Sequence, residues 1–170
     1  GGDITSTTAG IDFLNAVTLT DAVAMDSNAG GGAIVFQSTL DGTVADTETL
    51  ALDSGAGDIT FSGAVGAGTS LGAVTITDAA TVNALGTFTA ASFTQVAGTV
   101  LTDFQDAVTT TGNFTFAGTD LRLRDGAHTV GGAMALTNAG TFTTDAAANV
   151  TVNGAFTQVG GGTNSLGGDI

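Results

Sequence analysis

The sequence predicts an all-β fold, a three-sided parallel β-solenoid of about 21 residues per coil and about eight coils. Three observations carry that prediction. A seven-residue unit of the form x-Φ-T-Φ-x-x-G (Φ apolar) runs from residue 113 to 161 as NFTFAGT, DLRLRDG, AHTVGGA, MALTNAG, TFTTDAA, ANVTVNG and AFTQVGG. Glycine recurs every 14 residues, at Gly98, Gly112, Gly126, Gly140, Gly154 and Gly168. FTQVAG at 93 to 98 returns as FTQVGG at 156 to 161, an offset of 63, or three times 21.

Each part of the unit has a physical role. In an extended strand alternate side chains face opposite ways, so the two Φ positions point inward and the Thr between them faces solvent. Gly, Asn, Asp or Ala then fills the corner, with glycine accepting a positive φ without steric cost. Hairpins favour two-residue turns and strands of about five or six residues. A constant advance of seven instead fits a chain that keeps turning the same way. Three such sides make a coil, and Phe93, Phe114, Ala135 and Phe156, each 21 apart, are expected to stack into one internal ladder. The six glycines are expected at coil corners.

The first half keeps the pattern with insertions. NAVTLTDA at 15 to 22 matches GAVTITDA at 72 to 79 and GAMALTNA at 132 to 139. GDIT at 2 to 5 matches GDITF at 57 to 61 and GNFTF at 112 to 116. These markers suggest super-repeats of about three coils starting near residues 1, 57 and 112, within a single segment spanning 1–170. Less regular stretches, 22 to 36 and 40 to 58, are expected to bulge outward as loops. With strands about 4.8 Å apart, eight coils make a rod of about 40 Å.

The termini repeat each other: GGDI occupies 1 to 4 and again 167 to 170. No amphipathic cap is legible at either end, although solenoids need one to protect the open strand edge. The chain therefore reads as one window of a longer tandem repeat or as a subunit that stacks end to end, with Gly2, Asp3, Ile4, Gly168, Asp169 and Ile170 as the axial contacts.

Composition excludes several functions. The chain has 15 Asp, a single Glu (Glu48), no Lys, and only Arg122 and Arg124 as positive side chains, for a formal charge of -14. Nucleic-acid binding and adhesion to anionic membranes draw on Lys and Arg, so neither is expected. A hydrophobic content of 42% separates the chain from disordered acidic sequences. No stretch approaches the ~18 apolar residues of a membrane span. Absent cysteine leaves the redox compartment open and is compatible with an oxidising exterior.

The run GDITFSGAVGAGTSLGAVTITDAATVNALGTFTAASF, residues 57 to 93, resembles the repeats of very large bacterial surface proteins of the filamentous-haemagglutinin and autotransporter-adhesin kind. The likeness lies in G-A-V, x-Φ-T-Φ and N-G corners and covers nearly all of the chain. It implies a right-handed parallel β-helix, exported to the cell surface or released, that serves as stalk, adhesin or filament. The N-terminal secretion domain of that family is not recognisable.

Little in the sequence suggests catalysis. The one histidine, His128, occupies a Φ position and reads as a core or corner residue. Polysaccharide lyases share the β-helix fold, and likeness to them would call for a basic catalytic residue. Arg122 and Arg124 are the only candidates, and with Asp120 and Asp125 beside them they read as local ion pairs. No cofactor is expected. Calcium is the one metal the sequence suggests, because Asp and backbone carbonyls at corners supply hard oxygen ligands. The candidates Asp26, Asp53 and Asp58 lie in DSNAGGG and DSGAGD, but the G-G-x-G-x-D nonapeptide is absent. Thr-x-Thr triplets at 18, 75, 87 and 141 resemble ice-binding solenoids without recurring at one register. The sequons at Asn113 and Asn149 fit the strand pattern equally well. The expected function is a non-enzymatic repeat unit of an extracellular filament, stalk or sheath that stacks on itself. The alternative is an adhesin whose acidic loops or Thr-rich face bind glycan, another cell or ice.

Overall fold

The computed structural model describes residues 2–170 as a stack of short parallel strands. The chain passes in turn along three faces. Face I holds Ile11–Phe13, Ile34–Phe36, Ile59–Phe61, Thr81–Ala84, Leu101–Phe104, Asp120–Leu123, Thr141–Thr144 and Thr163–Leu166, hydrogen-bonded in that order as one eight-stranded sheet. Face II follows with Val17–Leu19 and Leu40–Gly42, a bridge at Val65, the start of Phe88–Gln95, then Val108–Thr110, Gly126–Val130 and Ala148–Val152. Face III holds Ile4–Thr5, Val23–Asp26, Leu50–Asp53, Leu71–Asp78, the end of Phe88–Gln95, Phe114–Gly118, Met134–Asn138 and Phe156–Val159.

The solenoid makes about seven turns of about 22 residues, slightly fewer and longer coils than the heptad arithmetic gives. Early coils are long: Ile11 pairs with Ile34, and Ile34 with Ile59. Later ones contract, with Val82 pairing with Thr102 and Thr102 with Leu121. The extra length sits at corners. Between residues 22 and 36 the chain forms two wall strands joined through a 3-10 turn at Asn28–Gly30. Between 40 and 58 it likewise lays down Leu40–Gly42 and Leu50–Asp53. Neither segment is an outward loop in full, and only residues 43 to 48 leave the wall at length.

That short loop is anchored. The Glu48 carboxylate accepts hydrogen bonds from the Thr43 hydroxyl and from Val44 N–H (3.1 Å). Asp46, at φ 60°, takes the hydroxyls of Ser70 (2.7 Å) and Thr111 (3.2 Å), which belong to later coils.

Inward residues form columns. On Face I, Phe13, Phe36 and Phe61 stack at 5.2 and 5.3 Å with nearly parallel rings. Mid-rod, Phe88, Phe93, Phe104 and Phe114 meet edge to face, except that Phe93 and Phe114 stack at 4.9 Å. The expected ladder needs one correction. Phe93 pairs with Phe114, but Phe114 pairs with Met134, and Met134 with Phe156. That coil is one residue short of 21, so Ala135 falls on the outward side of the alternation, between Thr115 and Thr157.

The 14-residue glycine beat follows from the three corners. Fourteen is two thirds of 21, so each step skips one corner. Gly98 and Gly140 sit at the III/I corner, Gly112 and Gly154 at II/III, Gly126 and Gly168 at I/II. Positive φ accounts for Gly126 alone among the six. The stronger reason is crowding between coils: a Cβ at Gly168 would lie 1.9 Å from the Ala148 carbonyl oxygen, and one at Gly154 2.7 Å from that of Gly132.

The longer markers do not keep a face. Ile4 of the first GDI lies on Face III and Ile59 of the second on Face I, while Ile170 of the last continues Face II. NAVTLTDA runs on Face II, but GAVTITDA and GAMALTNA run on Face III. These motifs mark a strand and its corner rather than a position in the coil.

Candidate functional site: the open ends of the solenoid

Columns that are buried in mid-rod emerge at both ends. At the head, Ile4 pairs with Met25, Ile11 with Ile34, Phe13 with Phe36 and Val17 with Leu40, each covered on one side only among the described residues. Ile4 is 38% exposed, whereas Leu52 and Ile76 in the same column are fully buried. At the tail, Phe156 is 38% exposed, Leu166 52% and Ile170 49%. Phe93 and Phe114, above Phe156 in its column, are 0% and 1% exposed. Apolar surface and strand edge of this kind are covered by a further coil, whether of the same chain or of another copy.

Of the expected axial contacts, Ile4 and Ile170 carry apolar surface at opposite ends. Asp3 Oδ1 accepts Ala24 N–H (3.2 Å), and Asp169 bridges to Asn149. Gly2 precedes them at the head, and Gly168 packs on Ala148. The sequence missed Phe13 and Val17 at the head and Gln158, Asn164 and Leu166 at the tail, because assigning them requires every coil length.

Several acidic residues fasten coil to coil. Asp41 Oδ1 accepts the N–H groups of Gly68 and Thr69, Asp58 that of Thr81 (3.1 Å), Asp120 that of Thr141 (2.6 Å) and Asp125 that of Ala147 (3.1 Å). In each case a carboxylate reaches one coil forward. The short reach suits Asp, which outnumbers Glu 15 to 1.

The calcium candidates do not converge. Asp26 pairs directly with Asp53 on Face III, and Asp53 with Asp78 across a register shift that leaves Thr77 unpaired. Asp26 and Asp53 cap local turns through Asn28 and Gly55 N–H, while Asp58 stands on Face I. Among the described residues no group of three or more His, Asp or Glu is arranged to hold a metal ion.

The basic residues are tied to neighbouring coils. Arg122 donates from Nε and Nη2 to both oxygens of Asp145, at 2.8 to 3.0 Å. Arg124 donates likewise to Asp103, whose side chain is only 3% exposed beneath it. The Asp103 hydrogen bond holds the Arg124 pKa above its ordinary value. His128 lies in the Face II column between Val108 and Val150 and is 1% exposed. Its Nδ1 accepts Val108 N–H (3.3 Å) and its Nε2 is 2.7 Å from the Arg124 carbonyl, an arrangement for the neutral ring protonated on Nε2. Burial pushes its pKa down, against a smaller upward pull from the Arg124 carbonyl and the Asp106 charge. Both ring nitrogens are engaged by backbone groups, and among the described residues no hydrogen bond joins the ring to a nucleophilic side chain.

Outward threonines align more regularly than the triplets do. The triplets fall on all three faces, but single columns run Thr89–Thr109–Thr129–Thr151 on Face II and Thr75–Thr94–Thr115 on Face III. A shallow trough of about 400 Å³ follows the III/I corner, floored by Gly98, Gly118, Asn138 and Gly160. Compared with protein-family models, with curated proteins and with solved structures, the chain matches none.

Proposed function

We propose that the protein is a structural repeat unit of an extracellular filament, stalk or sheath, extended by stacking solenoid coils end to end. The observation that supports it most is the stacking of each coil on the next in parallel register along three faces, with inward columns that run from the first described coil to the last. Fully burying a Leu, Ile or Phe side chain stabilises by about 1.5–3 kcal/mol. Four half-exposed residues (Ile4, Phe156, Leu166 and Ile170) therefore supply about 3–6 kcal/mol, to which backbone pairing along three strand edges adds. Association itself costs about 4–15 kcal/mol, so stacking of separate chains is expected to depend steeply on concentration. The extracellular setting rests on the resemblance to bacterial surface repeats and on a cysteine-free composition.

Sedimentation velocity over a hundredfold concentration range tests this reading. Growth into a broad distribution of long species supports it, and a single slow boundary throughout contradicts it.

The aligned threonine columns favour a second reading, a binding module for glycan, another cell or ice. Hydroxyls and methyls repeating at the strand spacing of about 4.8 Å form an ordered outer surface. Replacing Thr109 and Thr129 with Lys would abolish binding to such a ligand and leave a stacked rod unaffected.

A further inference from the structure

We infer that a second copy of the chain pairs side by side with the first through the outward side of Face III, over the coils from Phe88–Gln95 to Phe156–Val159. The inference concerns the flank of the solenoid and holds whether or not coils continue beyond either end.

The placement of charge singles this face out. The chain carries 16 acidic and 2 basic side chains. Between Asp78 and Asp169, however, every residue charged at neutral pH lies on Face I or at the corner after it: Asp103, Asp120 and Arg122 on the face, Asp106, Arg124, Asp125 and Asp145 at the corner. Earlier coils of Face III do carry acids, at Asp26, Asp53 and Asp78. In the later coils its outward side shows a central column of Thr94, Thr115, Ala135 and Thr157 instead. Beside that column Ala117, Thr137 and Val159 stand in register, with Val96 one coil earlier. Val96, in mid-rod, is 57% exposed and Val159 63%. The uncharged surface continues into the III/I trough, where a Cβ at Gly98 would lie 2.2 Å from Gln95 Nε2, so the corner stays low and lets a flat partner approach.

These facts fit a second copy better than another occupant. Copies of one acidic chain repel wherever carboxylates meet, and this face lets two of them touch with every carboxylate left outside the contact. Every phenylalanine belongs to an inward column, so the face offers a sugar ring no aromatic surface to stack on. Face II of the same coils is uncharged as well, but none of its strands exposes a large apolar side chain. Asp46, tied to Ser70 and Thr111, stands at the corner between the two faces and bounds the patch.

Four coils at about 4.8 Å and a strand of about five residues at about 3.3 Å give a face of about 300 Å², which the trough widens. The pair therefore belongs with weak, reversible interfaces, those below about 1,200 Å² in total. The same patch serves both copies, so the contact is isologous and closes at two.

Sedimentation equilibrium in low salt and in about 1 M NaCl, where the Debye length falls to about 3 Å, tests the inference. A monomer–dimer equilibrium that tightens with salt is expected, because screening removes the repulsion between acidic copies and the contact itself holds no ion pair. Thr115→Asp sets two carboxylates into each pair and should weaken it about tenfold or more. Ala135→Asp, one coil on, should do the same, and circular dichroism shows that each variant keeps its fold. Thr143→Asp adds the same charge on Face I and should leave the constant within about twofold. Association that falls with salt, or equal weakening by Thr143→Asp, would overturn the inference. Growth beyond dimers that Thr115→Asp leaves unchanged would refute the lateral pair and spare axial stacking. Retention on a neutral-glycan matrix that Thr115→Asp abolishes, with no dimer at either salt, would overturn it in favour of a glycan.

Discussion

Residues 134 and 135 offer the sharpest test of which way the wall faces. Met134 is 1% exposed and lies between Phe114 and Phe156, while its neighbour Ala135 stands outward between Thr115 and Thr157. The same side chain, threonine, can be placed at either position. Met134→Thr removes buried methylenes, leaves part of a cavity and buries a hydroxyl, at a cost of about 2–5 kcal/mol. In a chain of this length each kcal/mol moves the melting temperature by about 2–4 °C, so a fall of about 4–20 °C is expected. Ala135→Thr instead continues an outward threonine column and should change stability by less than about 0.5 kcal/mol. Thermal unfolding followed by circular dichroism reads both. Equal losses, or a larger loss at 135, would refute the register and with it the column argument.

Four further outcomes are expected. The lowered pKa of His128 means that the unfolded chain binds the proton first as pH falls, so its contribution is complete above about pH 6.5 and declines below it. Urea titrations between pH 7.5 and 5 should show that slope, and His128→Gln should flatten it. Arg124→Ala strands the buried Asp103 carboxylate and should cost about 1–3 kcal/mol, against about 0–1 for Arg122→Ala, whose pair is more exposed. Asp120→Asn keeps the acceptor for Thr141 N–H and should be nearly neutral, whereas Asp120→Ala should cost about 1 kcal/mol in a denaturant melt. Asp53→Asn breaks the run of stacked carboxylates between Asp26 and Asp78 and should stabilise the chain by about 0.2–1 kcal/mol at low salt, a gain that fades in molar NaCl.

Much of the architecture was legible because alternation and corner chemistry are local. The unit x-Φ-T-Φ announces a strand with a buried and an exposed side, and the recurrence of FTQV sets the scale of a coil. What the sequence could not give was the length of each circuit. A constant 21 puts Ala135 inward, and one missing residue reverses its side. The Asn28–Gly30 turn and the 43–48 loop lengthen early coils by amounts no local pattern announces, so 22 to 36 and 40 to 58 read as loops although each carries two wall strands. The GGDI repeats looked equivalent from their letters yet lie on different faces, since a strand-and-corner motif serves any of the three. The role of these coil-fastening acids is hidden for the same reason: Asp120 and Thr141 are 21 residues apart, and their hydrogen bond exists only once one coil rests on the next.

Electron microscopy of the assembled chain, with the axial repeat read from the power spectrum, tests the central claim most directly. The account predicts unbranched filaments with a continuous meridional reflection near 4.8 Å, running across subunit junctions without interruption. Discrete rods about 35 Å long at every concentration would contradict it, and the open columns at Ile4, Phe156, Leu166 and Ile170 would then need another occupant.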